Sequence, residues 1–188
     1  MGFLKMLGNC VLSPEKAFKD ADILSSLLLS LLGSFSFSSS LFLILRNSNI
    51  LPINEIWTLL SFMLLFLLLF VLAPLFHILA KLFGGKGNLK ATFSIVSISI
   101  YFPLLFTLPL TVPSKEMSEI SRAFYLGAVS LILFVYSLAL FVQGFCSSHL
   151  ISPFRAVMLS LLPILIFSIL SLLLLYSILV TPLSMLGV

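Results

Sequence analysis

The sequence predicts an all-α integral membrane protein, a bundle of five transmembrane helices preceded by a short amphipathic, interfacial helix. Three observations carry this. Of 188 residues, 61% are hydrophobic and only 9% charged, whereas about 25% of a soluble domain is charged. The charges are clumped, leaving charge-free runs from Ile23 to Leu45, Ile56 to Ala80, Ala91 to Ser114 and Ala123 to Phe154. A helix crossing a hydrocarbon core of about 30 Å needs about 20 apolar residues, so each of the first three runs holds one span. From Ala123 to Val188 the only charge is Arg155, and that length holds two more spans. The expected plan is an N-terminal segment over residues 1–22 and a membrane unit over 23–188, with spans at 23–45, 56–80, 91–112, 123–145 and 157–180.

The N-terminal segment opens with Phe3, Leu4, Leu7 and Val11 at helical spacing beside Lys5. That pattern suits a helix lying in the interface. Met6 stands where a myristoylation motif wants Ser or Thr, so no lipid is expected on Gly2. Ser13-Pro14-Glu15 then reads as an N-cap, a proline at the first helical position and an acid in the first turn. The apolar run from Ile23 outlasts the core of a cleaved signal peptide and is expected to be a retained span.

Span one carries Gly33-Ser34-Phe35-Ser36-Phe37-Ser38-Ser39-Ser40, whose alternation imitates a strand. In lipid an isolated strand would leave its backbone unpaired, so the segment must be helical and its serines are expected to pack helix against helix. After a loop containing Asn47-Ser48-Asn49 and Pro52, span two holds Pro74, which cannot donate to the carbonyl of Phe70 and so predicts a kink. His77 lies one turn before Lys81 and is expected at the headgroup boundary, satisfied by water or a loop. The connection from Lys81 to Lys90, with Gly84, Gly85, Lys86 and Gly87, is the most basic segment. Its spacing does not fit a phosphate loop, because Gly87 follows Lys86 where Ser or Thr is required. It reads as a turn that turns its lysines toward anionic headgroups.

Span three places Ser94, Ser97 and Tyr101 at i, i+3 and i+7, followed by Pro103, Pro109 and Pro113. Pro103 cannot donate to Ser99, nor Pro109 to Leu105, so two carbonyls at membrane depth need donors from elsewhere. Tyr101, the serines of the same face, a packed neighbour or water are the candidates. Span four sets Tyr136 and Gln143 on one face, and span five is interrupted by Pro163. The candidate polar seam is therefore Ser97, Tyr101, Pro103, Pro109, Tyr136 and Gln143. The candidate interfacial set is His77, Lys81, Gly84, Gly85, Lys86, Gly87 and Lys90.

Counting Lys and Arg gives orientation. With the N-terminus cytoplasmic, the inner segments hold Lys5, Lys16, Lys19, Lys81, Lys86, Lys90 and Arg155, against Arg46, Lys115 and Arg122 outside. The N-terminus is expected inside and the C-terminus outside, in the cell membrane if the source is prokaryotic. Ten basic residues spread over short segments make no continuous basic face, so no nucleic-acid partner is expected. Cys10 and Cys146 are too few for a disulfide framework and read as structural thiols. Cys146-x-x-His149 is half a metal site without companions. There is no His-Glu-x-x-His, no Gly-x-Ser-x-Gly and no acid inside any span, so neither an enzyme nor a cofactor is expected.

The order of several short motifs resembles the Yip family of Ypt/Rab-interacting membrane proteins. They are Ser13-Pro14-Glu15-Lys16-Ala17-Phe18, His77-x-x-Ala80-x-x-Phe83-Gly84-Gly85-x-Gly87, Tyr101-x-Pro103, and Gly144, Ser152 and Arg155-Ala156. The resemblance covers about Leu12 to Val180 and implies a small non-catalytic protein that organises membranes or recruits partners, with a cytoplasmic N-terminus. Eukaryotic members are associated with Rab GTPases, vesicle traffic and membrane shaping. This sequence lacks their Asp-Leu-Tyr-Gly-Pro motif and long cytoplasmic arm and is closer to compact prokaryotic members, so Rab binding is not carried over. The expected partners are anionic lipids, another membrane protein or a second copy. The rival expectation is a small channel, lipid scramblase or solute permease lined by the polar faces of spans one, three and four.

Overall fold

The computed structural model describes residues 3–47, 55–113 and 117–162. Within them the chain is an all-α bundle. Two short helices, α1 (Phe3–Leu12) and α2 (Pro14–Asp20), precede the long helices α3 (Ile23–Asn47) and α4 (Glu55–Leu82). The third crossing is composite: α5 (Leu89–Val96), a π turn (Ser97–Tyr101), α6 (Phe102–Leu104) and α7 (Thr107–Thr111). α8 (Glu119–His149) returns across, and α9 (Pro153–Leu162) begins the next segment. Four stretches are long and apolar enough to cross a membrane: Ile23–Ile44, Thr58–Leu82, Leu89–Thr111 and Ile120–His149. The expected fifth span beyond Leu162, with Pro163, lies outside the described residues.

α1 buries Met6 and Cys10 and leaves Leu4, Val11 and Leu12 exposed. Such a one-sided apolar surface belongs at the lipid–water boundary. Its inner face is tied down by the Tyr136 hydroxyl of α8, which donates to the Cys10 carbonyl at 3.2 Å. Pro14 does begin α2, but the Ser13 side chain makes no capping bond; its carbonyl accepts from Lys16 and Ala17 instead. The true side-chain cap is Asp22, whose Oδ1 accepts from the Ser25 amide at 2.7 Å and starts α3.

Proline chemistry explains the broken third crossing. A proline ring at 103 presses on the carbonyl four residues earlier and offers no N–H. The chain widens into a π turn just before it, and it breaks again at Leu105 and Phe106 before α7. The core around this crossing is aromatic: Phe76 lies 5.0 Å from Phe141 and 6.0 Å from Phe145, centroid to centroid, while Phe70 packs edge-on against Phe93 at 5.7 Å. The outward faces of α4 and α8 are equally apolar, with Leu64, Leu67, Val71, Leu131 and Val135 exposed. Lipid tails make that surface inexpensive, which is why polarity and small residues, not hydrophobicity, mark the helix interfaces here.

Candidate functional site

The first polar constellation is the seam between α3 and the third crossing. Ser97 Oγ donates to the carbonyl of Ser26 at 2.6 Å and meets Ser30 Oγ at 3.1 Å, while Ser26 Oγ reaches Ser94 Oγ at 3.4 Å. One and a half turns further on, Ser36 Oγ donates to the carbonyl of Leu105 at 2.9 Å and accepts from the Leu108 amide at 3.2 Å. Ser40 meets Thr111 Oγ1 at 2.5 Å. Serines at this spacing line one stripe of α3, and their small side chains let the backbones approach. Gly33 marks the closest point: a Cβ there would sit 2.4 Å from the Tyr101 carbonyl oxygen.

The two carbonyls that Pro103 and Pro109 strand are served by neighbours. Ser36 serves Leu105, and Ser137 Oγ of α8 donates to Ser99 at 2.6 Å. Tyr101 serves neither. Its buried hydroxyl donates at 2.6 Å to the Leu65 carbonyl of α4, while its backbone and Cβ stay against Gly33 of α3. The hydroxyls along the face of Ser94, Ser97 and Tyr101 are therefore divided between α3 and α4. Pro103 is buried beside it, whereas Pro109 is exposed on the outer side of α7 and does not line the seam. Tyr136 points to α1, and half-buried Gln143 makes no side-chain hydrogen bond among the described residues.

The second constellation closes the end where α4, α5 and α8 meet. Helix α4 stops in a Schellman motif: the Gly84 amide donates to Lys81 O at 3.0 Å and the Gly85 amide to Ala80 O at 2.8 Å, with Gly84 at φ +83°. The Lys86 amide then donates to the His149 carbonyl at 2.9 Å, at the C-terminus of α8. A Cβ at residue 87 would sit 2.7 Å from the His149 ring. The glycines thus do more than turn the chain; they admit a fully buried imidazole.

His77 and His149 are bridged by one hydroxyl. Thr92 Oγ1 lies 3.1 Å from His77 Nδ1 and 2.9 Å from His149 Nε2. The expectation that water or a loop would satisfy His77 is thereby replaced by a partner in the fold. A threonine hydroxyl has one proton, so at least one ring must be the donor. His149 Nδ1 is buried without a partner. The tautomer with Nε2–H donating to Thr92 leaves only a lone pair unserved, which costs less than an orphaned N–H. The one sequence signal for this pairing is that His77 and His149 fall at the same end of their spans. Among the described residues no three His, Cys, Asp or Glu groups gather as metal ligands, and Cys10 and Cys146 are free thiols. Lys81, Lys86 and Lys90 are exposed around this end.

A family model, the Yip1 domain, matches residues 10–180. The chain belongs to the Yip1-domain family. No curated protein and no solved structure matches it. Apart from Tyr101-x-Pro103, which lies along the seam, the motif residues that resemble this family meet at the histidine end. In this Yip1 domain a Cβ at Gly144 would sit 2.9 Å from Ile95 and 3.1 Å from buried Phe18, so the Ser13–Phe18 segment, α5 and α8 meet there. Arg155 Nη1 donates to Phe83 O at 3.3 Å, and the Ala156 amide donates to Ser152 O at 2.9 Å at the start of α9. Four motifs scattered over the sequence are thus neighbours at one end of the Yip1 bundle. That end is built from glycines, a buried imidazole and surrounding lysines.

Proposed function

We propose that this chain is a membrane-organising protein of the Yip type, a non-enzymatic scaffold that gathers another membrane protein, a second copy or anionic lipid at its basic end. The observation that carries this reading is the use made of the polar side chains within the membrane. Ser26, Ser30, Ser36, Ser40 and Ser137 are spent on bonds between helices, including the carbonyls freed by Pro103 and Pro109. Polar groups committed to holding the bundle together support a rigid platform rather than a hydrated conduit. The asymmetry of Lys and Arg supports a cytoplasmic N-terminus and an outer C-terminus, which puts the histidine end and the Lys81–Lys90 turn on the cytoplasmic side.

A second reading, a lipid scramblase or small-solute permease, draws on a cavity of about 390 Å³ between α3 and α4, lined by Phe35, Ser38, Phe42, Thr58, Leu59 and Phe62. Ser38 and Thr58 there carry buried hydroxyls without partners. The two readings separate in liposomes. Purified protein is expected to show no flux or scrambling above empty vesicles, and affinity capture from native membranes is expected to bring down a membrane partner or a second copy. Robust transport that disappears on Tyr101→Phe or Gln143→Ala would replace the scaffold reading with the second one.

A further inference from the structure

The basic end also holds an open polar cavity of about 350 Å³, separate from the histidine bridge, bounded by α2, the start of α5 and the end of α8. Its polar lining is Lys19, Asn88, Lys90, Ser94, Ser147 and Ser148, over an apolar floor that includes buried Phe18. Two ammonium groups line it, and among the described side chains no carboxylate does. Asp22, three residues after Lys19, has its Oδ1 turned to the Ser25 amide. Asn88 caps α5 at this rim, so the positive end of that helix adds to the field of the lysines. Ser147 donates to the Gly144 carbonyl at 3.2 Å, whereas Ser148 carries a buried Oγ with no partner among the described residues.

Position selects the ligand. The cavity lies just beyond the first residue of α3, beside the first turn of α5 and at the last turn of α8, the level at which spans meet headgroups. Donors, positive charge and an apolar floor at that depth match a phosphate group whose remainder continues into lipid. We infer that this cavity binds the phosphate of an anionic phospholipid, with Lys19 and Lys90 paired to its oxygens and the unpartnered Ser148 hydroxyl donating to it. This rests on the membrane-organising reading and gives it a specific lipid site, distinct from the exposed Lys81–Lys86 turn.

The test uses the full chain in nanodiscs of phosphatidylcholine doped with phosphatidylglycerol, released into mild detergent, with retained lipids identified by native mass spectrometry. Wild type is expected to retain phosphatidylglycerol in preference to phosphatidylcholine. Each cavity lysine replaced, in Lys19→Gln and Lys90→Gln, lowers that enrichment about 5-fold. Lys19→Arg/Lys90→Arg keeps it, and Lys81→Gln/Lys86→Gln changes it little. Lys19 and Lys90 are exposed, so the variants fold, and unchanged elution of the purified protein checks this. Enrichment that survives Lys19→Gln/Lys90→Gln, or that falls as far in the turn variant, overturns the cavity assignment. Wild type without any lipid preference overturns it too, and loading by inorganic phosphate alone under those conditions reassigns the cavity to a soluble anion. The scaffold reading is judged separately, by partner capture and by transport in liposomes, so its failure shows in different measurements.

Discussion

The hydroxyl of Ser137 in α8 lies 2.6 Å from the carbonyl oxygen of Ser99, the carbonyl that Pro103 leaves without its helical donor. The broken third crossing is therefore held from both sides, by α8 at Ser99 and by α3 at Leu105, where Ser36 performs the same service for Pro109. Proline gives this crossing its bends, and each bend is matched by one serine on a neighbouring helix. A helix bent in this way is fixed by its neighbours and does not act as a free hinge.

Removing the Ser137 hydroxyl strands a carbonyl at membrane depth, so Ser137→Ala is expected to lower stability by about 0.6–2 kcal/mol. Pro103→Ala restores an N–H that can reach Ser99, so Ser137→Ala should cost less in that background. Unfolding titrations of the four proteins of this cycle, in mixed micelles, give the coupling directly. Equal costs of Ser137→Ala in the two backgrounds would show that the carbonyl is satisfied by another route.

Gly33→Ala places a methyl 2.4 Å from the Tyr101 carbonyl oxygen and forces α3 away from the π turn. Backbone cannot yield as a flexible side chain can, so the expected loss is about 1–3 kcal/mol. Gly127 in α8 meets nothing within 4 Å, and Gly127→Ala is expected to be neutral or stabilising by up to about 1 kcal/mol. The pair, compared by thermal aggregation in detergent, separates close approach from helix propensity.

The long helices were legible because charge-free length is a property of consecutive residues. α3 spans Ile23–Asn47 and α4 spans Glu55–Leu82, close to the apolar runs that predicted them. The acceptors at Ser99 and Leu105 were legible for the same reason, since a proline names the carbonyl it abandons. Their donors were not: Ser36 and Ser137 are two of many serines, and only packing selects them. The π turn was hidden too, because it is the compromise between Pro103 and its neighbours, and packing alone selects the Leu65 carbonyl for the Tyr101 hydroxyl. His77 and His149 stand 72 positions apart in sequence and meet through Thr92 only after three spans have been arranged.

Thr92→Val keeps the shape of the bridging residue and deletes its hydroxyl. It removes the partner of His149 Nε2 while the ring stays buried, so an expected cost of about 1–3 kcal/mol follows from an unsatisfied buried group. Thr92→Ser retains the hydroxyl and should recover most of that loss. Stability measured on both variants distinguishes the bond from the methyl group's packing.

Acid should loosen the start of α3 before the rest of the bundle. Asp22 is held below the ordinary carboxylate value of 3.8, first by the Ser25 hydroxyl and then by the Ser25 amide. Its contribution to stability is therefore fully present above the unfolded value and is lost as pH falls through the lower, folded one. Asp22→Asn keeps an N-cap acceptor but cannot titrate. The variant is expected to match wild type at neutral pH and to show a flatter loss of stability in acid, and hydrogen exchange at the Ser25 amide follows the cap itself.

Orientation is best read from residues other than Cys10. Burial raises its thiol to about 12, and since the thiolate is the nucleophile it should react slowly from either side. Exposed positions report instead: Lys16 and Lys86 at the basic end, and Ser118 at the start of α8 at the other. In a Cys10→Ala/Cys146→Ser background, Lys16→Cys and Lys86→Cys should react with an impermeant maleimide only after the membrane is opened. Ser118→Cys should react in intact cells. The reverse pattern would turn the bundle over, putting Lys81, Lys86, Lys90 and the phosphate cavity on the outer face. Labelling of Lys16 and Ser118 from the same side would mean that the crossings between them number other than three.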